Sequence, residues 1–258
     1  MYNFFAEPEN KTGDGYLVVG ADFNHIKNVL RMRTGEEVLV SLNGKSDLCV
    51  IEKFMDDAVK LKILQEDYNK SELDLKIYLF QGLPKSDKLE LIIQKAVELG
   101  SAGIIPVEMS RCVVKLDPRK KASKTERYRA IAESAAKQSK RNTIPEVFEP
   151  VSLADALKKA SQMDLFLVPY ENEDGILSTK QALSKLKDCK TVGILIGPEG
   201  GFDEKEIEDA KKAGGKIISL GKRILRTETA AITALSMCML AAELCEMGRE
   251  NDQLTKRI

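Results

Sequence analysis

The sequence predicts an α/β protein in two parts: a small all-β domain over residues 1–72 and a larger domain with a parallel sheet over residues 73–258. Three observations predict it. Up to about residue 70, the chain reads as short strands, alternating with period two over Val59 to Ile63, and turn signals fall close together. From Leu75 onward, short apolar runs alternate with stretches of helical period. Between the two styles lies the polar stretch QEDYNKSELD, read as a linker. Strands alternating with helices imply a parallel sheet covered on both faces.

In the first part, Val38-Leu39-Val40 and Leu48-Cys49-Val50-Ile51 flank Asn43-Gly44, a hairpin turn signal. Val59, Leu61 and Ile63 alternate with Lys60 and Lys62, the pattern of a half-buried strand, and Asp56-Asp57 marks the turn before it. Several short strands with close turns make a small barrel or sandwich.

In the second part, Ile77-Tyr78-Leu79-Phe80 is the first strand. Ser86 or Asp87 caps a helix whose apolar face is Leu89, Ile92, Ile93, Ala96 and Val97, and Gly100 stops it. Residues 104–107 form the next strand. Ser123 and Glu126 fit a capping box, with Tyr128, Ile131, Ala132 and Ala135 on one side of the helix that follows. Further strands are expected over 165–168, 192–196 and 217–220. Asp203, with Glu206 three residues on, opens a helix ending at Gly214-Gly215. The last helix, about 229–247, is apolar nearly all round, so it belongs in a core or an interface.

With 258 residues, 43% of them hydrophobic, the chain can bury a core without disulfides or a structural metal. The five cysteines form no C-x-x-C pair and the one histidine is His25, which argues against a metal site. Free thiols fit a reducing cytoplasm. The first residues carry no basic stretch followed by an apolar run, and no apolar run approaches the roughly 20 residues that span a bilayer, so no membrane association is expected. A net charge of zero excludes a protein whose whole surface binds nucleic acid. Locally it is different. From Arg111 to Arg141 eleven Lys and Arg side chains, Lys115 among them, face three carboxylates, a net +8. Concentrated positive charge suits a phosphate backbone, and the plainer reading is a solvated helix face.

Two loops stand out chemically. Ile196-Gly197-Pro198-Glu199-Gly200-Gly201-Phe202 leaves a strand and enters the Asp203 helix. Its three glycines let backbone groups approach a ligand, and in an open parallel sheet ligands sit at the carboxyl ends of the strands. The spacing is neither G-x-G-x-x-G nor a phosphate loop, which disfavours a dinucleotide or triphosphate and hence a nucleotide-dependent metabolic enzyme. The plainer reading is an ordinary strand-to-helix turn. Leu220-Gly221-Lys222-Arg223-Ile224-Leu225-Arg226-Thr227-Glu228-Thr229-Ala230 likewise links a strand to a helix, with hydroxyls and a carboxylate where helix N–H groups need partners. Its plainer reading is a capped helix start with Arg226 and Glu228 in structural ion pairs.

IGPEGGF followed by LGKRILRTETA resembles the ribosomal RNA small-subunit methyltransferase E family, within the SPOUT superfamily. GLPKSDKLELIIQKAVELGSAGIIPVEMSRCVVK, ERYRAIAESAAKQSKRNTIPEV and HIKNVLRMRTGEEV are similar to further family segments, in the right order. The resemblance implies a PUA-like β-barrel followed by a SPOUT-type sheet with a C-terminal trefoil knot, and a homodimer. It implies S-adenosylmethionine as cofactor and methylation of N3 of one uridine in 16S rRNA of the small ribosomal subunit. Carried over by residue, it assigns cofactor binding to Leu167, Ile196, Gly197, Pro198, Glu199, Gly200, Gly201, Leu220, Gly221, Ile224, Leu225, Arg226 and Thr229, with the first knot loop beginning over Leu167 to Glu171. The chain departs from the family pattern at Tyr2-Asn3, where an Arg often stands, and at Asn24-His25, where two histidines often stand.

Methyl transfer to N3 needs alignment, removal of a proton and a cation near the uracil carbonyls. Arg226 is the expected cation, with Glu199 and Glu228 as orienters or proton acceptors. His25, Arg31, Arg33, Arg111, Lys115 and Arg141 are the expected RNA contacts. A non-catalytic RNA-binding assembly factor on the same fold is the alternative, and intact cofactor loops speak against it.

Overall fold

The computed structural model describes residues 1–170 and 175–255, with side chains through Met247. Its contacts divide the chain into two compact units, Met1–Glu72 with Glu133–Ile144, and Leu73–Ala132 with Pro145–Ile258.

The first unit is a six-stranded sheet: β1 (Tyr2–Phe5), β2 (Lys11–Thr12), β3 (Gly15–Val19), β4 (Glu37–Leu42), β5 (Lys45–Phe54) and β6 (Ala58–Gln65). A short helix α1 (Gly20–Asn24) and a π-helical turn (His25–Val29) follow β3. Pairing runs β1-β4-β5-β6-β3-β2, with β1 parallel to β4 and the other ladders antiparallel. The Asn43-Gly44 turn forms as expected. Both residues have positive φ (52° and 80°), which joins β4 to β5 with the twist that adjacent strands need. Inward-facing Phe4, Tyr16, Val38, Val40, Cys49, Ile51, Val59 and Leu61 make the core. Tyr16 Oη donates to buried Asp47 at 2.8 Å, and burial together with that carboxylate pushes the phenol well above its usual range.

The expected linker is tied down. Asn69 and Ser71 donate to the Lys140 carbonyl, and Glu72 accepts from the backbone N–H of Asn142. Glu72 also pairs with Arg141, which is only 4% exposed. Arg141 was expected to contact RNA. The structure corrects that reading: its guanidinium is buried against Glu72, and its carbonyl accepts from Asn3.

The second unit holds β7 (Lys76–Gly82), α2 (Lys88–Glu98), β8 (Ser101–Glu108), α3 (Pro118–Gln138), β9 (Glu146–Val147), β10 (Val151–Ser152), α4 (Leu153–Ala160), β11 (Leu165–Pro169), α5 (Gly175–Leu183), β12 (Thr191–Ile196), α6 (Glu204–Lys212), β13 (Lys216–Ile218) and α7 (Thr227–Thr255). The last turns of α3, from Glu133, group with the first unit. The sheet runs β10-β8-β7-β12-β11-β13, with β9 beside β8, and every ladder is parallel, as the alternation of strands and helices predicts.

Side chains alternate between the two faces. Phe80, Phe166, Val168 and Leu195 point to one face and pack with Ala156, Leu157 and Ala160 of α4 and Ile207 and Ala210 of α6. On the other face α7 packs on β7, β12 and α2, burying Ala231, Ala234, Leu235, Cys238 and Ala242.

Three local expectations change. Ser123 lies inside α3 rather than capping it. Asp117 caps the helix by accepting from the Lys120 N–H at 2.9 Å, and Pro118, the first helical residue, lacks the N–H that would need a partner. The last strand ends at Ile218 instead of Leu220. The absence of a long apolar run also fails: Thr227–Met247 is apolar and long enough to cross a bilayer by length and composition, although one side of it is packed inside the unit. Of the two candidates before α2, Asp87 holds the N-cap position, without a side-chain cap bond, and Ser86 precedes it with a left-handed φ of 55°; Gly100, with φ 82°, ends that helix as expected.

Breaking a buried ion pair strands the remaining charge, at a cost of about 3–5 kcal/mol. Arg141→Ala is therefore expected to destabilise the first unit by about 3 kcal/mol, measured by urea unfolding. Unchanged stability would return Arg141 to the surface role.

Candidate functional site

Because all the ladders are parallel, the carboxyl ends of β7, β11, β12 and β13 lie along one edge of the sheet, where an α/β protein binds its ligands. The segments leaving β7, β12 and β13 are residues 83–87, 197–203 and 219–226, and Tyr170 follows β11. Both sequence-predicted loops are among them.

The first loop approaches β7 very closely. A Cβ on Gly82 would lie 2.7 Å from Pro198 Cδ and from Pro198 N, so only glycine permits this contact. Phe202, 7% exposed, closes the loop from below and meets Tyr170 edge to face at 6.1 Å. Arg111 lies across the top, donating to the Gly200 carbonyl at 3.1 Å, with Asp203 3.7 Å away. Asp203 caps α6 in the expected capping box, and Glu206, 5% exposed, accepts from the Asp203 and Ser110 N–H groups.

The second loop is joined to the first by Thr227. Its hydroxyl donates to the Gly197 carbonyl at 2.6 Å and accepts from Gln81 Nε2 at 2.9 Å. Gln81 is fully buried at the end of β7, and its Oε1 has no hydrogen-bond partner among the described residues. Lys88 provides a second junction, with Nζ 3.0 Å from Glu199 and 3.6 Å from Glu228. Glu199 also accepts from the Lys85 N–H. Burial works against the Glu199 charge, but Lys88 and these N–H groups outweigh it and hold the carboxyl below its usual range. Glu228 Oε2 is buried without a hydrogen-bond partner among the described residues; at 3.6 Å, Lys88 is within ion-pair reach only.

The predicted residues occupy different environments. Leu167, Ile196, Gly197 and Pro198 are buried, the first two within strands facing the α7 side. Gly200, Arg226 and Thr229 are exposed, Gly201, Leu220, Gly221 and Leu225 are half-buried, and Ile224 is 92% exposed. Glu171, named with the first knot loop, lies outside the described residues. His25, Arg31, Arg33 and Lys115 are exposed. Sequence reasoning missed Gln81, Gly82, Lys85 and Lys88. Gln81 and Gly82 end β7, and Lys85 and Lys88 lie in the segment after it and at the start of α2, so the rule that ligand loops leave the carboxyl ends of parallel strands would have singled out this stretch. No group of three metal-ligating side chains occurs among the described residues.

The basic segment changes most. Lys120, Lys121, Arg127, Lys137 and Arg141 pair with Asp117, Glu108, Glu90, Asp22 and Glu72, and Arg111 is committed to the first loop. Lys115, Arg119, Lys124 and Lys140 are exposed and have no ion pair among the described residues.

Comparisons with known proteins give the family. The family described as RNA methyltransferase domain matches residues 71–239, and the RNA methyltransferase PUA domain matches residues 20–64. Ribosomal RNA small subunit methyltransferase E of Bacillus subtilis is 39% identical over 233 residues, covering 89% of this chain and 91% of that protein. The enzyme of that name from Neisseria gonorrhoeae, solved bound to S-adenosyl methionine, superposes with a TM-score of 0.77 at 32% identity, covering 92% of this chain and 96% of that one. A methyltransferase of Legionella pneumophila, solved with the bound cofactor SAM, gives 0.79 at 33%, covering 93% and 97%. Fold and site thus define a PUA domain followed by an RNA methyltransferase domain. The chain belongs to the ribosomal RNA small subunit methyltransferase E family.

A carboxyl whose titration is depressed by folding contributes stability that is present above its unfolded range and lost as pH falls through the folded value. Glu199→Gln is accordingly expected to lower the Tm by about 2–4 °C at pH 7, with the gap to the parent protein closing toward pH 3. Scanning calorimetry across that range checks it; a gap that does not depend on pH would mean that the Glu199 charge contributes nothing.

Proposed function

We propose that this chain transfers a methyl group from S-adenosylmethionine to N3 of one uridine in 16S rRNA, acting in the cytoplasm on the small ribosomal subunit. The observation that carries the reading is the convergence of residues 196–201 and 219–229 at the carboxyl edge of the sheet, fastened by Thr227 and Lys88. In the same reading residues 1–72 are the RNA-binding domain, residues 73–258 the methyltransferase domain, and the β12-β11-β13 end of the sheet forms the trefoil knot.

The residues present fit the cofactor. A Cβ on Gly201 or Gly221 would meet nothing within 4 Å, which leaves backbone open to a ligand. S-adenosylmethionine carries no phosphate, matching loops that lack a phosphate cradle. The assigned residues of the two loops, with Leu167, would hold it, and when bound it supplies a sulfonium methyl group.

The chain's own groups then divide the work. Glu199, already accepting from Lys85 and Lys88, orients its loop. Glu228, in the first turn of α7, is the proton acceptor for N3 in this reading. Arg226, exposed and without a side-chain partner among the described residues, stabilises the charge that spreads onto the uracil carbonyl oxygens. The target base leaves its stack to reach these groups. His25, Arg31, Arg33 and Lys115 contact the surrounding RNA backbone.

The partner in the proposed homodimer is accommodated by α7. Met237, Leu240, Leu244 and Met247 recur at intervals of three and four, and the last three are 54–60% exposed. An apolar stripe of this kind suits a second copy of the helix. Leu240→Glu with Leu244→Glu is expected to yield a monomer in light scattering; an unchanged mass would place the interface elsewhere.

The function is tested by transfer of labelled methyl to small subunits lacking the modification, with nucleoside analysis of the product. N3-methyluridine is expected, and Arg226→Ala is expected to lower the single-turnover rate by about 10²–10³-fold. Cofactor binding without transfer would point to another RNA. Neither binding nor transfer would favour an assembly factor.

A further inference from the structure

We propose that Lys88 is a positioning residue of this site: its ammonium joins Glu199 in the loop after β12 to Glu228 in the first turn of α7 and so holds the two ligand loops in register. The inference rests on the function proposed above.

Lys88 is the first residue of α2. A cation is disfavoured there, because the free N–H groups give a helix N-terminus partial positive charge. Local preference therefore does not account for a lysine at this position, and its tertiary partners do. Nζ lies 3.0 Å from Glu199 Oε1 and 3.6 Å from Glu228 Oε2. The Glu228 oxygen has no hydrogen-bond donor among the described residues, and a buried carboxylate needs a compensating cation. The packing of α2 on α7 and β8, through buried Leu89, Ile92 and Ile93, fixes where the ammonium can reach. Three segments distant in sequence thus meet at one charge. Glu199 also accepts from the Lys85 N–H and from its own N–H, and the Cys112 thiol lies within reach of its field.

The test uses the full chain with Lys88→Met and Lys88→Arg. In cofactor-free protein carrying 13C-carboxyl glutamate, with the Glu199 signal assigned through Glu199→Gln, Lys88→Met is expected to raise the Glu199 titration midpoint by about one pH unit. The single-turnover rate is expected to fall by at least about 30-fold, while the Kd for S-adenosylmethionine changes far less. Lys88→Arg should recover most of the rate. A midpoint that stays in place, or a rate loss that follows Tm and is not rescued by Arg, overturns the proposal. If Lys88→Met does not fold, Lys88→Gln is read by the same measurements. A parent protein that methylates no RNA overturns the function reading, while the titration still decides whether Lys88 binds the two carboxylates together.

Discussion

The hydroxyl of Thr227 donates to the Gly197 carbonyl and accepts from Gln81, all in the buried layer beneath the carboxyl edge of the sheet. Those contacts join the end of β7, the loop after β12 and the start of α7. β12 turns away at Gly197 because the carbonyl there is held, and Pro198 can lie against β7 because Gly82 has no side chain. α7 starts at Thr227, whose hydroxyl sits between those two strands. The long last helix thereby anchors the functional edge while its far side carries an apolar stripe, so that helix links the site to any partner docked along α7.

Charge is used in the same connective way. Glu199 and Glu228 come from different loops and share one ammonium. Glu206 caps its own helix and also accepts from Ser110 after β8. Arg111 covers the glycine turn by donating to its backbone. These groups fasten the loops to rigid elements, while Gly201 and Gly221 keep open space where a side chain would stand. That is the arrangement expected where a ligand is bound by main-chain groups and alignment supplies much of the rate.

Much of this was legible in the sequence because it depends on local rules. Period-two alternation placed β6, apolar runs either side of Asn43-Gly44 placed β4 and β5 with a turn that needs two positive φ values, and Asp203 with Glu206 placed a helix start. Strand–helix alternation implied the parallel sheet, and that sheet implied the edge on which the loops sit. The misses fall where a local signal had a competitor. Ser123 and Glu126 mimic a capping box, yet Asp117 followed by Pro118 opens the helix six residues earlier. The polar stretch before Leu73 reads as a linker by composition, although its side chains bond to the Lys140–Asn142 backbone.

The basic segment shows the limit most clearly. Its net +8 is correct as a count, but charge acts through space, and Glu72, Glu90, Glu108 and Asp22 arrive from distant parts of the chain to neutralise much of it. The sequence by itself determined the two styles of domain, the alternation of strands and helices in the second, and the two loops with the residues they carry, since propensity, period and turn chemistry act over a few residues. Only the tertiary structure decided that Arg141 is buried, that Lys88 stands between two carboxylates, and that Gln81 and Thr227 join the loops, because those contacts depend on which segments the packed sheet brings together.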